Sequence, residues 1–336
     1  MKRNILRVFR RFLLVAIPMS LLGLVGYLAK AQDQRANLTT TIIPPNNPLQ
    51  VAILHWYPAN QTTSFGAGHA PQGVAFDGAN IWVANQSLGK VTKLRANDGM
   101  LLGTFAVGTT PNGVAFDGAN IWVTNAGDGT VTKLRASTGA KLGTFAAGKS
   151  PVTAAFDGAN IWVVNSTSTN GTVTKLRASD GTLLGTFAVG KGPFGVAFDG
   201  ANIWVTNDID NTVTKLRASD GMPLGTFAVG NVPNGVAFDG ANVWVTNEQA
   251  GTVTKLRASD GKNLGTFPAG SSPLGVAFDG VNIWMANTGG NTVTKLKASD
   301  GTNLGTFTVG NNPFGVAFDG ANIWVTNFNS NTVSKL

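Results

Sequence analysis

Few side chains in this sequence have the chemistry expected of a catalytic or metal-binding centre. The 336 residues include two His, one Glu and no Cys, which excludes a thiolate metal site and a disulfide framework. Asp208, Asp210 and Glu248 lie in corresponding stretches of two neighbouring sequence units. Carboxylate oxygens are preferred ligands of hard cations, so these residues are the candidate site for Mg²⁺ or Ca²⁺. Two Asp at this spacing are also common in loops without metal, and no other cofactor is expected.

His69 is the candidate proton-transfer residue, because imidazole titrates near neutral pH and is the usual general base there. No other sequence unit carries a His in its first strand or in the loop before it. The sequence has no recognisable Gly-rich phosphate loop, serine triad or paired-carboxylate motif. This shortage of proton-transfer groups favours binding over catalysis.

A repeat positions these residues. Versions of the stretch at 113–125, which reads GVAFDGANIWVTN, occur seven times along the chain. Their Phe residues are 40 residues apart, except for one step of 42. We expect the two extra residues to lie in the loop at 166–171. A period of about 40 with strand-like contents indicates a β-propeller blade.

Each unit reads as four short strands separated by turns. A strand of small residues ends at Asp-Gly, a dipeptide typical of tight hairpin turns. The next strand is apolar on both faces, which requires a covering layer on each side. We therefore predict an all-β fold: a single seven-bladed β-propeller of four-stranded blades.

The two ends of the repeat array are expected to meet in one blade. The last unit stops at Leu336, after its third strand. Residues 64–68 resemble a fourth strand, since Phe65 precedes Phe76 by the same 11 positions that separate Phe105 from Phe116. This N-terminal strand would close the ring. Residues 51–54 also resemble a third strand and compete with 333–336 for that position; we expect the C-terminal copy to take it.

The first 31 residues read as an export signal, with a basic stretch, an apolar run and a small-x-small cleavage pattern ending at Ala31. The alternative is an uncleaved anchor, the only membrane attachment that the sequence suggests. Residues 32–50 read as a polar linker and 51–336 as the propeller. We therefore expect a secreted or periplasmic protein, and a monomer.

The formal net charge of +8 does not indicate a nucleic-acid partner. Six of the 25 basic residues lie in the first 30 positions, and the remainder has 19 basic and 17 acidic residues. Phosphate binding needs clustered positive charge, which this balance does not provide.

The stretch IWVTN followed by NTVTKL gives the chain a family resemblance. Over residues 51–336 it resembles bacterial β-propellers built from YVTN-type and NHL-like repeats, and more narrowly the streptogramin (virginiamycin B) lyase-like group. That resemblance implies a metal-assisted elimination that opens a cyclic depsipeptide, with a histidine base and a carboxylate near the propeller axis. His69 and Glu248 are the residues of this chain that would take those roles.

The repeat units differ mainly in two connections, the loop between the second and third strands and the residues around the Pro before each first strand. In a four-stranded meander both connections lie at the same end, so they share one face. We predict that this face binds a ligand and that the protein is a binding or scaffolding module for a protein, peptide or small molecule. The alternatives are a lyase and simple drift of unconstrained loops. The predicted face residues are His69, Gln72, Asn112, Lys149, Lys191, Phe194, Asn234, Gln249, Phe314 and Phe328.

Two further repeated side chains are interpreted as structural. The seven repeated Trp residues are expected to fill the gaps between neighbouring blades. The repeated Lys and Arg of the stretch VTKLR are expected to be solvated charges on the rim, offset by the Asp of each turn.

Overall fold

The computed structural model describes residues 63–336; the predicted signal, the linker and residues 51–54 lie outside the described residues. The described chain forms seven four-stranded antiparallel sheets, as predicted. We number the blades by the order of their innermost strands and call the strands of a blade A to D from the axis outwards. No helix between Thr63 and Leu336 has the length and hydropathy to span a bilayer.

The strands of blades 1 to 4 are, in the order A to D, β2 (Pro71–Phe76), β3 (Asn80–Asn85), β4 (Lys90–Arg95) and β5 (Leu101–Ala106); β6 (Pro111–Phe116), β7 (Asn120–Asn125), β8 (Thr130–Arg135) and β9 (Lys141–Ala146); β10 (Pro151–Phe156), β11 (Asn160–Asn165), β12 (Thr172–Arg177) and β13 (Leu183–Ala188); β14 (Pro193–Phe198), β15 (Asn202–Asn207), β16 (Thr212–Arg217) and β17 (Pro223–Ala228). A short 3₁₀ turn, Gln86–Leu88, follows β3.

The strands of blades 5 to 7 are, in the same order, β18 (Pro233–Phe238), β19 (Asn242–Asn247), β20 (Thr252–Arg257) and β21 (Asn263–Pro268); β22 (Pro273–Phe278), β23 (Asn282–Asn287), β24 (Thr292–Lys297) and β25 (Asn303–Thr308); β26 (Pro313–Phe318), β27 (Ile323–Asn327), β28 (Thr332–Lys335) and β1 (Thr63–Gly66).

Blade 7 is assembled from both ends of the described chain, which confirms the predicted closure. β1 pairs antiparallel with β28, and Phe65 is opposite Val333. The Phe65 ring lies 5.6 Å from the ring of Trp324, the same pairing that Phe105 makes with Trp82 in blade 1. The C-terminal copy therefore takes the third-strand position.

The A strands of neighbouring blades pack against one another around the axis, which explains their small residues. Gly235 is the third residue of β18, and a Cβ added to it would overlap the carbonyl oxygen of Leu274 in the next blade. Blade 3 has Thr153 at the equivalent position, where its hydroxyl donates to the carbonyl oxygen of Phe194. Close backbone approach therefore restricts this strand to small side chains in most blades.

Each repeated Trp lies between two blades, as predicted. Trp204 of blade 4 is fully buried and packs against Val243 and Leu256 of blade 5. Its indole Nε1 donates to Oδ2 of Asp199, 2.7 Å away. Burial alone would raise the pKa of Asp199, but the hydrogen bonds from Trp204 and from nearby backbone amides hold it below its usual range. The Asp of the Asp-Gly turn therefore fixes the indole as well as the turn.

The prediction that the repeated Lys are solvated is wrong. Lys215 is only 6% exposed, with its Nζ 5.0 Å from the centre of the Trp204 ring. It donates to the carbonyl oxygens of Ala258 and Ser259 in blade 5, at 2.6 and 3.3 Å. Trp204 and Lys215 are directly paired across β15 and β16, so both side chains face the next blade. Lys215 therefore links blade 4 to blade 5 by hydrogen bonds.

The repeated Arg are solvent-accessible as predicted, and four of the five pair with the Asp of the following turn; Arg135, whose turn has Thr138 in place of Asp, forms no ion pair within residues 63–336. Arg217 forms an exposed ion pair with Asp220 of the following turn, at 3.1 Å. Such a surface pair contributes little to stability.

The 42-residue step arises in a loop, as predicted. Residues 166–171 connect β11 to β12, whereas residues 126–129 make the same connection in blade 2. Ser168 and Thr169 are exposed, so deleting both should change the free energy of unfolding by less than about 1 kcal/mol. Urea denaturation of the wild type and of the shortened variant measures this difference. A loss of several kcal/mol would show that these residues support the blade core.

Candidate functional site

The two variable connections meet on one face, as predicted. In blade 2 the loop after β7 returns to the connection before β6, where the amide of Ala126 donates to the carbonyl oxygen of Thr110 at 3.0 Å. Asp128 of the same loop accepts from the amide of Thr109 at 2.6 Å. We call this end of the molecule the variable face.

An inner ring of seven side chains surrounds the axis on the variable face. It consists of the second residue of each A strand: Gln72, Asn112, Val152, Phe194, Asn234, Leu274 and Phe314. Five of them line a cavity of about 200 Å³, together with the Gly and Val residues that follow them. Phe194 and Phe314 belong to blades three places apart, and their ring centres are 6.2 Å apart. Two aromatic side chains therefore meet across the mouth of the channel.

An outer ring consists of the first residue after each B strand: Gln86, Ala126, Ser166, Asp208, Glu248, Thr288 and Phe328, all half-buried. Only Asp208 and Glu248 are charged, and they belong to neighbouring blades 4 and 5. Nδ2 of Asn234 donates to Oε2 of Glu248 at 3.0 Å. Burial raises the pKa of Asp208, and the negative charge of Glu248 raises it further. The face thus has one acidic corner beside the cavity.

Asp210 does not join this corner. It is exposed, and its Oδ2 accepts from the backbone amide of Lys191 at 2.8 Å, so it holds the neighbouring connection. Among residues 63–336 no group of three or more His, Asp and Glu is arranged to hold a metal ion. Asp208, Glu248 and one amide fall short of the six or more oxygens that Ca²⁺ or Mg²⁺ prefers. A cation at this site therefore stays a prediction.

The other predicted face residues lie on the rim. His69, Lys149, Lys191 and Gln249 are exposed, and Phe328 is half-buried. His69 belongs to the connection into blade 1, while Glu248 belongs to blade 5. Within the described part of the chain His69 forms no ion pair, and no hydrogen bond links it to a carboxylate. Within residues 63–336 the two residues that a lyase would use are therefore not hydrogen-bonded to each other.

Two residues of the inner ring are not among the face residues predicted from the differences between repeat units. Leu274 lines the cavity, and Val152 holds the equivalent position in blade 3. Both follow the Pro that starts an A strand, as Asn112 and Phe194 do. Reading the residue after each of these prolines would have found all seven members. Apolar side chains in a strand normally indicate core, so their residue type alone does not mark Leu274 and Val152 as part of a site.

Comparisons with known proteins place the chain by its fold. No protein-family model and no curated protein matches the sequence. Similar solved structures include Kuenenia stuttgartiensis hydrazine synthase, with a TM-score of 0.72 and 18% identity over 83% of this chain and 98% of that chain. The WD40 β-propeller domain of Doa1 has a TM-score of 0.69 and 14% identity, over 83% and 97%.

A streptogramin B lyase structure has a TM-score of 0.68 and 18% identity, over 81% of this chain and 96% of that chain. The resemblance to streptogramin-lyase-like propellers is therefore confirmed for the fold. These similar structures include enzymes as well as a WD40 domain, so the shared fold does not decide between catalysis and binding.

Proposed function

We propose that this protein is an exported binding module that holds its partner on the variable face, around the mouth of the channel. One observation carries the proposal. The Asp, Trp and Lys that join the blades recur in all seven repeats, whereas the inner and outer rings differ from blade to blade. A scaffold this regular has no structural need for varied side chains at one mouth.

The composition of the two rings suits an interface. Phe194, Phe314 and Phe328 offer half-buried aromatic surface, and Asn112 and Asn234 offer amide groups beside it. Aromatic anchors surrounded by polar groups are typical of protein-binding surfaces. The cavity itself is large enough for one side chain or a small molecule of comparable size.

Capture from an envelope fraction tests this function. We expect the immobilised full-length protein to retain a specific partner, and Phe194→Ala with Phe314→Ala to reduce that capture about tenfold, as removal of interface anchors does. Met222→Ala is the matched control, because Met222 is 49% exposed in the turn between β16 and β17, at the opposite end of its blade. Equal capture by the wild type and the double Phe variant would contradict the proposal.

A streptogramin-type lyase is the second candidate, favoured by the carboxylate of Glu248 beside the channel mouth. Opening of a cyclic depsipeptide in the presence of Mg²⁺ should be measured for the wild type, His69→Ala and Glu248→Gln. We expect no turnover in any of the three, because His69 and Glu248 belong to blades 1 and 5 and are not hydrogen-bonded to each other. Turnover that disappears in both variants would replace the binding function with the enzyme.

A further inference from the structure

Blade 4 makes room for one carboxylate near the channel mouth. The residue before the Pro of each A strand has a left-handed backbone, with φ of 53° at Ala70 and 61° at Gly192. Only blade 4 has glycine there; the other blades have Ala70, Thr110, Ser150, Val232, Ser272 and Asn312. A Cβ on Gly192 would overlap Oδ1 of Asp208. Gly192 therefore provides the space that the Asp208 carboxylate occupies. The left-handed backbone alone does not require glycine here, since the other six blades have a residue with a side chain at this position.

Two acceptors in this corner have no donor. Oδ1 of Asp208 and Oδ1 of Asn234 are enclosed by protein, and neither has a hydrogen-bond partner within residues 63–336. Asn234 is 6% exposed, lines the cavity and donates its Nδ2 to Glu248. Enclosed acceptors without donors are unfavourable. Six other amide oxygens in the described residues, such as Oδ1 of Asn207, are enclosed in the same way, but they do not lie beside a pair of carboxylates. The two acceptors in this corner accompany two like charges, which favours a cation as the missing partner.

The surroundings favour an organic cation with an apolar body. Phe194 follows Gly192 by two positions and lines the cavity together with Asn234 and Leu274. A primary ammonium group has three donors and no acceptor, which matches two carboxylates and an amide oxygen. An aromatic ring beside it adds attraction for the positive charge and covers the carbon atoms. A hard metal ion finds too few oxygens here.

We propose that this corner binds a small organic amine, with its primary ammonium group held by Asp208, Glu248 and Asn234 and its apolar body against Phe194. This inference rests on the proposed binding function and names the ligand class for the same face. The proposal is for binding only, without chemical conversion of the ligand.

Isothermal titration calorimetry of the full-length protein with phenethylamine tests the site, at neutral pH and low salt, where charge interactions are least screened. We expect saturable binding of phenethylamine and none of phenethyl alcohol, which lacks the charge. Phenethyltrimethylammonium keeps the charge but has no N–H donor, so it should bind about tenfold more weakly or worse. Equal binding of the alcohol, or no binding of phenethylamine, would overturn the proposal.

Two variants locate the binding. Asp208→Asn and Gly192→Ala should each weaken phenethylamine binding about tenfold or more, by removing a charge or by displacing the carboxylate. Ala70→Gly, the reverse change at the equivalent position of blade 1, should leave it unchanged. Circular dichroism melts show whether each variant is folded, and Asp208→Asn removes a charge that burial disfavours, so it is expected to fold. Unchanged affinity in both site variants would overturn the proposal.

Titration with MgCl₂ tests whether a metal ion, and not an amine, occupies this corner. Mg²⁺ that excludes phenethylamine and is lost in the same variants would replace the amine with a metal ion. Failure of amine binding while capture still depends on Phe194 and Phe314 would overturn only this inference. Capture that is independent of those residues would instead overturn the proposed function.

Discussion

Deleting residues 32–69 is expected to abolish cooperative unfolding of the propeller. The deletion removes β1, so β28 loses its antiparallel partner and becomes an exposed edge. It also removes Phe65 from the ring of Trp324 and takes away Ala67, which is 1% exposed. Phe65 is half-buried, so its loss alone costs less than the ~3–5 kcal/mol of a fully buried aromatic side chain. Strand pairing is lost with it, however, which adds to the destabilisation.

A variant that lacks only residues 32–59 is the matched control, because it keeps β1. Differential scanning calorimetry should show one cooperative transition for the control and for the wild type, and a broad or absent one for the longer deletion. An undiminished melting temperature in the longer deletion would mean that the ring does not depend on its N-terminal strand.

Lys215→Met is expected to destabilise the protein by about 1.5–3 kcal/mol, the usual worth of hydrogen bonds to a charged group. Methionine preserves the apolar length against Trp204 but offers no donor to the carbonyl oxygens of Ala258 and Ser259. Lys295→Met is the matched control. Lys295 lies 4.7 Å from the centre of the Trp284 ring and is half-buried, and within residues 63–336 no carbonyl oxygen accepts from its Nζ.

The free energies of unfolding of both variants should be compared by urea denaturation. The Lys215 variant should lose clearly more stability than the Lys295 variant. Equal losses would assign the effect to the contact with Trp alone and would remove the carbonyl bonds from the explanation.

The fold could be predicted because its signals are local and repeated. Asp-Gly turns, the 40-residue period and the position of Phe65 before Phe76 are all visible in the sequence. The burial of Lys215 is not visible in the sequence, because the carbonyl oxygens that it bonds are 43 and 44 residues away, in the next blade. A Lys two positions before an Arg in a half-polar strand is normally solvent-exposed, and only the pairing of Lys215 with Trp204 shows that this one is buried.

For the candidate site, the sequence could predict which end of the blades it occupies but not which side chains come into contact there. Loop variation pointed to the end of the blades where the two variable connections meet, and to Phe194 and Phe314 among its residues. Their contact joins positions 120 residues apart and depends on how the ring closes. Gly192 looked like one more turn glycine, and its role became visible only when Asp208 was found in the space beside it.

Blade 7 also determines when the molecule can be completed. β1 is the first described strand to leave the ribosome and β28 is the last, so their pairing waits for the whole chain. Until then β1 has no native partner and the ring cannot close. Contacts so distant in sequence are slow to form because a long loop must be closed first. The native ring therefore closes only after β28 has been synthesised and can pair with β1.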